Sequence, residues 1–206
     1  MATVQFTPAD EREDLARAEV YGLLADLYRG PPSAELYAQL QVAVTDAPER
    51  GAFLEANWRE LVGAARRLTR DAVAAEYADL FIGVGKPEIL PFGSYHLAGR
   101  LHERPLVELR RDLAAIGLER PEGVHETEDH LSCLCEVMRY LIAGDDVSVS
   151  NLESQRRFHD AHVRPWIEAF CATLVAHPRA DFYRALATFT RDFFAVEAQA
   201  FDLLDT

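Results

Sequence analysis

Helical spacing of apolar residues along nearly the whole chain is the feature that most restricts its fold. Side chains on one face of an α-helix recur every three or four residues, whereas those of a half-buried strand alternate. The helical spacing dominates, and no run alternates convincingly. The clearest stripes are Leu15, Ala18, Tyr21, Gly22, Ala25 and Tyr28 near the start, and Phe182, Leu186, Phe189, Phe193, Val196, Ala200 and Leu204 near the end. The sequence therefore predicts an all-α fold.

Glycine, proline and capping residues divide this pattern into about nine to eleven helices. The Gly-Pro-Pro of residues 30–32 ends the first helix, and Ser33 is a good N-cap for the next. Later helices are predicted at residues 34–44, 51–69 and 71–81. Because the chain of 206 residues suits one domain, we expect a single helical domain over residues 1–206.

Two stretches break the helical pattern. Residues 83–94 hold three glycines and two prolines, which predicts a long irregular loop. Residues 117–126 form a second connection, near mid-chain. It resembles a hinge between an N-terminal half (residues 1–117) and a C-terminal half (residues 126–206). Long loops inside a compact helical protein often carry function.

The charge and the hydropathy pattern exclude several classes of partner. Asp and Glu number 34 against 21 Lys and Arg, a formal charge of −13. Since nucleic-acid binding needs cations that neutralise phosphates, we expect no nucleic-acid partner. The N-terminal residues lack the pattern of a signal peptide, and no run approaches the roughly 18–20 apolar residues that span a bilayer. We expect a cytoplasmic protein that is not an integral membrane protein.

The segment "HETEDHLSCLCEVMRYL" (residues 125–141) concentrates histidines, carboxylates and two cysteines. Its acids are typical of the first turn of a helix, where they offset the helix dipole. Two cysteines at positions i and i+2 of a helix point about 200° apart, so Cys133 and Cys135 cannot easily bond each other or share a metal ion. We therefore interpret both as small apolar residues of the core. The helix carries two apolar stripes: Leu131, Leu134, Cys135, Met138, Leu141 and Ile142, and next to it His130, Cys133, Val137 and Tyr140.

Two patterns in the sequence would suit an enzyme, either a di-iron protein or a metal-dependent phosphohydrolase. A di-iron bundle needs two Glu-x-x-His pairs, and the chain offers only Glu122 with His125. Helical metal-dependent phosphohydrolases use a His-Asp doublet, which occurs here as His159 with Asp160. Neither pattern is complete, and no nucleophile elbow or phosphate-binding glycine motif is present. We therefore predict no enzymatic activity, no catalytic residue, no metal site and no bound cofactor.

Four motifs together resemble the TorD/DmsD family of redox-enzyme maturation chaperones. They are "EYADLFIG" (residues 76–83), "LPFGS" (90–94), "ETEDHL" (126–131) and "HVRPWIEAF" (162–170), and the likeness extends over residues 12–200. The family's acidic signature usually reads Glu-Pro-x-Asp-His. Here Thr127 stands in place of the proline, while Asp129 and His130 are kept.

The resemblance implies a helical, non-enzymatic chaperone. Such a protein binds the twin-arginine signal peptide and the body of a molybdenum-containing oxidoreductase, and assists cofactor insertion before export. The twin-arginine translocase and cofactor-biosynthesis proteins are further partners that the resemblance suggests. A chaperone for a non-exported client, as in the nitrate-reductase branch, is the alternative within the same class.

The chemistry of such a peptide indicates which residues would bind it. A cationic start and an apolar middle need carboxylates beside an apolar groove. We expect Asp129 and Glu126 to pair with arginine, His130 to orient Asp129 or contact the peptide, and aromatic and apolar residues to line the groove. The predicted peptide-binding set is Glu126, Asp129, His130, Tyr77, Leu80, Phe81, Pro91, Phe92 and Ser94.

Overall fold

The computed structural model describes residues 9–45, 54–120, 123 and 126–203, and describes side chains from residue 13 onward. Within these ranges the chain forms α-helices joined by turns and loops, and contains no β-strand. The all-α prediction is confirmed. The helices are α1 (Ala9–Arg29), α2 (Ala34–Val42), α3 (Glu55–Arg67), α4 (Arg70–Tyr77), α5 (Gly93–Ala98), α6 (Arg104–Ala115), α7 (Leu131–Ala143), α8 (Leu152–His162), α9 (Ile167–Ala176) and α10 (Phe182–Asp202).

Most predicted helices occur close to their predicted positions. Ser33 caps α2 by accepting a hydrogen bond from the Leu36 N–H (3.1 Å). The helix predicted at 71–81 is α4 together with a π-helical turn, Ala78–Ile82. Residues 51–53 and Leu204, at the ends of two other predicted helices, lie outside the described residues. No helix of the described ranges is long and apolar enough to cross a membrane.

The predicted loop at residues 83–94 is shorter than expected, because α5 begins at Gly93. Gly93 and Ser94 are therefore the first turn of a helix and not part of the loop. The loop is held at its start by the Leu80 carbonyl, which accepts hydrogen bonds from the Glu88 and Ile89 N–H groups. A backbone bridge between Phe92 and His130 holds its end against the start of α7.

The core forms where α1 and α10 pack against the other helices. Helix α1 packs on α7, and α10 packs on α3 and α9. Tyr21 of α1 is fully buried and meets Phe193 and Phe194 of α10 edge to face, with ring centroids 4.9 and 5.7 Å apart. Tyr28 is also buried, and its hydroxyl lies 2.9 Å from that of Thr190. Aromatic packing therefore joins the two ends of the chain.

A buried ion pair adds to this junction. The guanidinium of Arg17 donates to both carboxylate oxygens of Glu197, each at 2.8 Å, and the Tyr21 hydroxyl donates to the same carboxylate at 2.9 Å. Arg17 also donates to the side-chain oxygen of Gln155 (3.1 Å), whose amide nitrogen donates to the carbonyl of Leu141. The network links α1, α7, α8 and α10, with Glu197 only 3% exposed.

Glu76, the first residue of the "EYADLFIG" motif, caps a distant helix. Its carboxylate accepts hydrogen bonds from the N–H groups of Asp181, Phe182 and Tyr183 at 2.8, 3.0 and 2.9 Å. These groups open α10, where the first turn leaves N–H groups without helical partners. Asp181, the N-cap residue of α10, does not cap the helix with its own side chain. The motif therefore has a structural role in fixing α4 against α10.

Candidate functional site

A cavity of about 590 Å³ lies between α7, the end of α6 with the segment that follows it, and the end of α1. Its apolar lining comes from Leu113, Leu118, Cys133, Val137 and Tyr140. Its charged lining comes from Glu119, Glu126, Glu128, Glu136, Arg29 and Arg120. We call this cavity the groove. Because it is apolar and has more carboxylates than cations, it favours a ligand that is both apolar and positively charged.

The four carboxylates of the groove differ in their partners. Glu128 pairs with Arg110 (2.9 Å) and lies 3.9 Å from Arg120. Burial acts to raise the pKa of Glu128, but the hydrogen bond from Arg110 and the nearby charges outweigh it and lower that pKa. Within the described part of the chain, the carboxylates of Glu119 and Glu126 form no ion pair, although Arg120 donates to the backbone carbonyl of Glu126 at 3.2 Å. They are the carboxylates most ready to receive a cation from outside.

Helix α7 begins at Leu131, later than the sequence pattern predicted. His130 is its N-cap: the backbone there is extended (φ −66°, ψ 137°), and its Nδ1 accepts the Ser132 N–H at 3.1 Å. The expectation that Glu126, Glu128 and Asp129 occupy the first turn of this helix is therefore wrong. Glu128 and Asp129 lie in the turn before it, and Glu126 precedes that turn. The His130 N–H closes the turn by donating to the Thr127 carbonyl.

Asp129 caps a different helix from the one expected. It is only 3% exposed, and its carboxylate accepts the Ser94 N–H at 2.8 Å and the Thr127 hydroxyl at 2.6 Å. Its carbonyl accepts the Gly93 N–H at 2.9 Å. Asp129 thus provides the start of α5 with a side-chain acceptor that Phe92, the N-cap residue of α5, does not supply. The hydroxyl of Thr127, which replaces the family's usual proline, supports this arrangement.

We expect Asp129→Ala to lower the free energy of unfolding by about 1–3 kcal/mol, because it leaves the Ser94 N–H buried without an acceptor. Asp129→Asn should lose less, since its amide oxygen can still accept that N–H. Urea denaturation at neutral pH measures both. If Asp129→Ala unfolds like the wild type, this carboxylate does not hold α5.

His130 should make the stability of the protein depend on pH. Burial lowers its pKa from 6.5 to about 4, although Glu126 and Asp129 act to raise it. The unfolded chain therefore takes up a proton at higher pH than the folded chain. Its contribution to stability is complete above about pH 6.5 and is lost as the pH falls toward 4.

We expect the free energy of unfolding to fall by about 2–3 kcal/mol over that window on account of His130. His130→Asn keeps a good N-cap residue and removes the titrating ring. Denaturation of both proteins from pH 7 to pH 4 should show a shallower decline for the variant. Equal slopes would mean that other groups, such as the buried His159, cause the decline.

The three residues expected as an apolar floor lie in the protein core. Leu80 is fully buried, and Phe81 packs against Tyr28 and Tyr183. The Tyr77 hydroxyl donates to the carbonyls of Arg29 (2.9 Å) and Tyr28 (3.3 Å), which end α1. Burial, with the Glu126 carboxylate nearby, raises the pKa of Tyr77 to about 12, so the hydroxyl stays protonated as a donor.

The remaining predicted residues surround the start of α7. The Phe92 ring meets the His130 ring edge to face, with centroids 4.8 Å apart. Pro91 is buried, and its carbonyl accepts the Leu131 N–H at 2.8 Å. Ser94 is buried too. Of the nine predicted residues, Glu126 lines the groove, and the others lie in the core or in the contacts that hold α7 and the loop.

Sequence reasoning missed most of the groove lining, including Glu119, Glu136, Arg29 and Leu118. The sequence did contain one indication of the groove. The second apolar stripe of α7 begins at His130, the N-cap, and its other three members, Cys133, Val137 and Tyr140, line the groove. The prediction that both cysteines of this helix are core residues is right for Cys135 and wrong for Cys133. Cys133 is half-buried, because its side of α7 faces the groove.

The residues of the two enzyme alternatives have other surroundings. Glu122 and His125 lie outside the described residues. Among the side chains that are described, no three of His, Cys, Asp and Glu come together as metal ligands would. His159 is buried and stacked on Phe194, with burial lowering its pKa, and Asp160 pairs with Arg164.

Comparison with known proteins places the chain in a family. The family model described as nitrate reductase delta subunit matches residues 48–172. The chain belongs to this family of TorD-like chaperones. The predicted membership of the TorD/DmsD family is confirmed.

Relatives named Chaperone protein TorD match along most of their length. The protein of Vibrio cholerae serotype O1 (strain ATCC 39541) is 27% identical over 204 residues, which cover 91% of this chain and 93% of the relative. That of Shewanella loihica is 25% identical over 221 residues, covering 96% and 97%. That of Escherichia coli O157:H7 is 24% identical over 158 residues, covering 75% and 76%. The similarity thus extends across the TorD-like fold and is not confined to one motif.

Proposed function

We propose that this protein is a cytoplasmic maturation chaperone without enzymatic activity. It binds the twin-arginine signal peptide of a molybdenum-cofactor oxidoreductase and keeps that enzyme from export until the cofactor is inserted. The groove beside α7 is the observation that carries the proposal. Its apolar lining and unpaired carboxylates complement a peptide with a cationic start and an apolar middle.

The groove also gives the peptide a direction. Glu126 and Glu128 precede α7, whereas Val137 and Tyr140 lie about two to three turns along it. One arginine would therefore lie near the start of α7, and the peptide would run along the helix past Glu136, so that its apolar segment reaches Val137 and Tyr140. A helical apolar segment in a hydrophobic groove is a common mode of peptide recognition.

Most of the predicted residues would not touch the peptide but would hold the groove residues in place. Asp129 and His130 hold the turn that follows Glu126, and Phe92 packs on that turn. Pro91 connects the loop to the start of α7, and Ser94 connects α5 to Asp129 of the same turn. Tyr77 fixes the end of α1 beside the groove. Changes at these residues should affect binding in proportion to how far they displace Glu126.

Calorimetric titration with a synthetic twin-arginine peptide tests the proposal, with a Lys-Lys version as the comparison. Cys133 adds a second measurement, because it lines the groove while Cys135 and Cys171 are buried. The peptide should slow alkylation of Cys133 by a maleimide and leave the two buried cysteines unreactive. No binding, or binding that leaves Cys133 equally reactive, would contradict peptide binding in this groove.

A second client class is favoured by the description of the matching family, which names a nitrate reductase subunit. In that case the client would be a non-exported molybdenum enzyme, and the groove would bind a segment that lacks the two arginines. Pull-down of the natural client distinguishes the two. Elemental analysis of the purified protein tests the enzyme alternative, since stoichiometric iron, manganese or zinc would overturn the chaperone proposal.

A further inference from the structure

Arg29 places a guanidinium of the protein itself in the groove. It is the last residue of α1, and its Nη2 donates to a carboxylate oxygen of Glu136 on α7 at 2.8 Å. Both side chains line the cavity. The other ion pair of Arg29, with Asp26, is longer at 3.5 Å. Besides the longer contact of Arg120 with Glu128 (3.9 Å), the groove therefore contains an arginine that is hydrogen-bonded to a carboxylate.

The backbone of Arg29 is fixed, while its guanidinium is free to exchange. The buried Tyr77 hydroxyl donates to the Arg29 carbonyl at 2.9 Å and holds the end of α1 in place. The side chains of Arg29 and Glu136 remain 50% and 38% exposed. An ion pair this exposed contributes little to stability, so replacing one of its partners costs little.

We propose that Glu136 is a guanidinium subsite of the groove, and that Arg29 occupies it until an arginine of the bound peptide takes its place. The inference rests on the proposed function and adds to it the residue that receives one of the peptide's arginines. An arginine is suited to this exchange because it can reproduce the same charge-assisted hydrogen bond. Arg29 would then turn to solvent without leaving an unpaired carboxylate in the groove.

The exchange can be tested by removing the internal arginine. With the full-length protein and a synthetic twin-arginine peptide, Arg29→Gln should tighten binding by about three- to tenfold, since Glu136 then loses its shorter ion pair and keeps the longer one with Arg139 (3.4 Å) in the unbound protein. In a Glu136→Gln background the same change should alter the affinity by less than about twofold, because the contested carboxylate is gone.

Arg139 provides a matched control. It also pairs with Glu136, at 3.4 Å, but it does not line the groove. Arg139→Gln removes the same charge and should change peptide affinity by less than about twofold. Thermal melting of each variant checks that the fold is kept.

The outcomes separate this inference from the proposed function. If wild-type protein binds the peptide and Arg29→Gln binds it equally or more weakly, the subsite assignment is overturned while peptide binding stands. Equal tightening with and without Glu136 would show a general charge effect and would also overturn it. If neither wild-type protein nor Arg29→Gln binds the peptide, the proposed function fails and this inference fails with it. Binding by Arg29→Gln alone would support the subsite strongly.

Discussion

Glu197→Ala is expected to lower the free energy of unfolding by about 3–5 kcal/mol, the largest loss predicted for a single residue of this protein. The change removes the carboxylate that Arg17 and Tyr21 share inside the junction of α1 and α10. The Tyr21 hydroxyl would then be buried without its acceptor. Among the residues that the structure describes, the largely buried guanidinium of Arg17 would keep only Gln155 and the half-exposed Asp14 as partners. Removing one partner of a buried ion pair costs more than the pair itself contributes. Chemical denaturation at neutral pH measures the loss.

Asp202 on the same helix provides the control. It forms a bidentate pair with Arg164 at 2.7 and 2.8 Å, similar in geometry to the Arg17–Glu197 pair, but on the surface. Asp202→Ala should leave the denaturation midpoint almost unchanged, because solvent already screens that pair. If the two variants lose the same stability, burial is not what makes the Arg17–Glu197 pair important.

The double change Glu119→Gln with Glu126→Gln is expected to weaken twin-arginine peptide binding by about ten- to a hundredfold. These are the two groove carboxylates without a cationic partner in the described part of the chain, so they should gain most from a peptide arginine. Glutamine keeps their size and removes their charge. Binding to wild-type protein should also weaken as salt is added, and binding to the variant should weaken less. Calorimetric titration at two ionic strengths measures both effects.

A charge-matched control separates this local effect from the overall acidity of the protein. Glu35 on α2 and Glu168 on α9 are exposed, and neither lines the groove. Changing both to glutamine alters the net charge by the same amount and should leave affinity within about twofold. A loss of binding equal to that of the groove variant would mean that the peptide senses the general field of the protein and not these two carboxylates.

The sequence predicted the elements that depend on local spacing. Stripes at helical intervals identified α1, α7 and α10, because each buries one long apolar face whatever its partner is. Ser33 was recognisable as a cap because its acceptor lies three residues from the N–H that it receives. The start of α7 was misplaced because acids before a helix and acids in its first turn give the same pattern. Whether the acids stand before α7 or in its first turn depended on the backbone bridge between Phe92 and His130, which forms only when the chain is folded.

The sequence by itself thus determined the all-α class, most helix positions, the family and the presence of acids near the groove. The tertiary structure alone decided which partner each acid meets. Glu76 caps a helix more than a hundred positions away, Asp129 caps α5 instead of its neighbour α7, and Glu136 holds Arg29. Apolar periodicity is a property of one helix and can be counted along the chain. A hydrogen bond or ion pair within about 3 Å requires two distant segments to be packed first, and no local spacing encodes that distance.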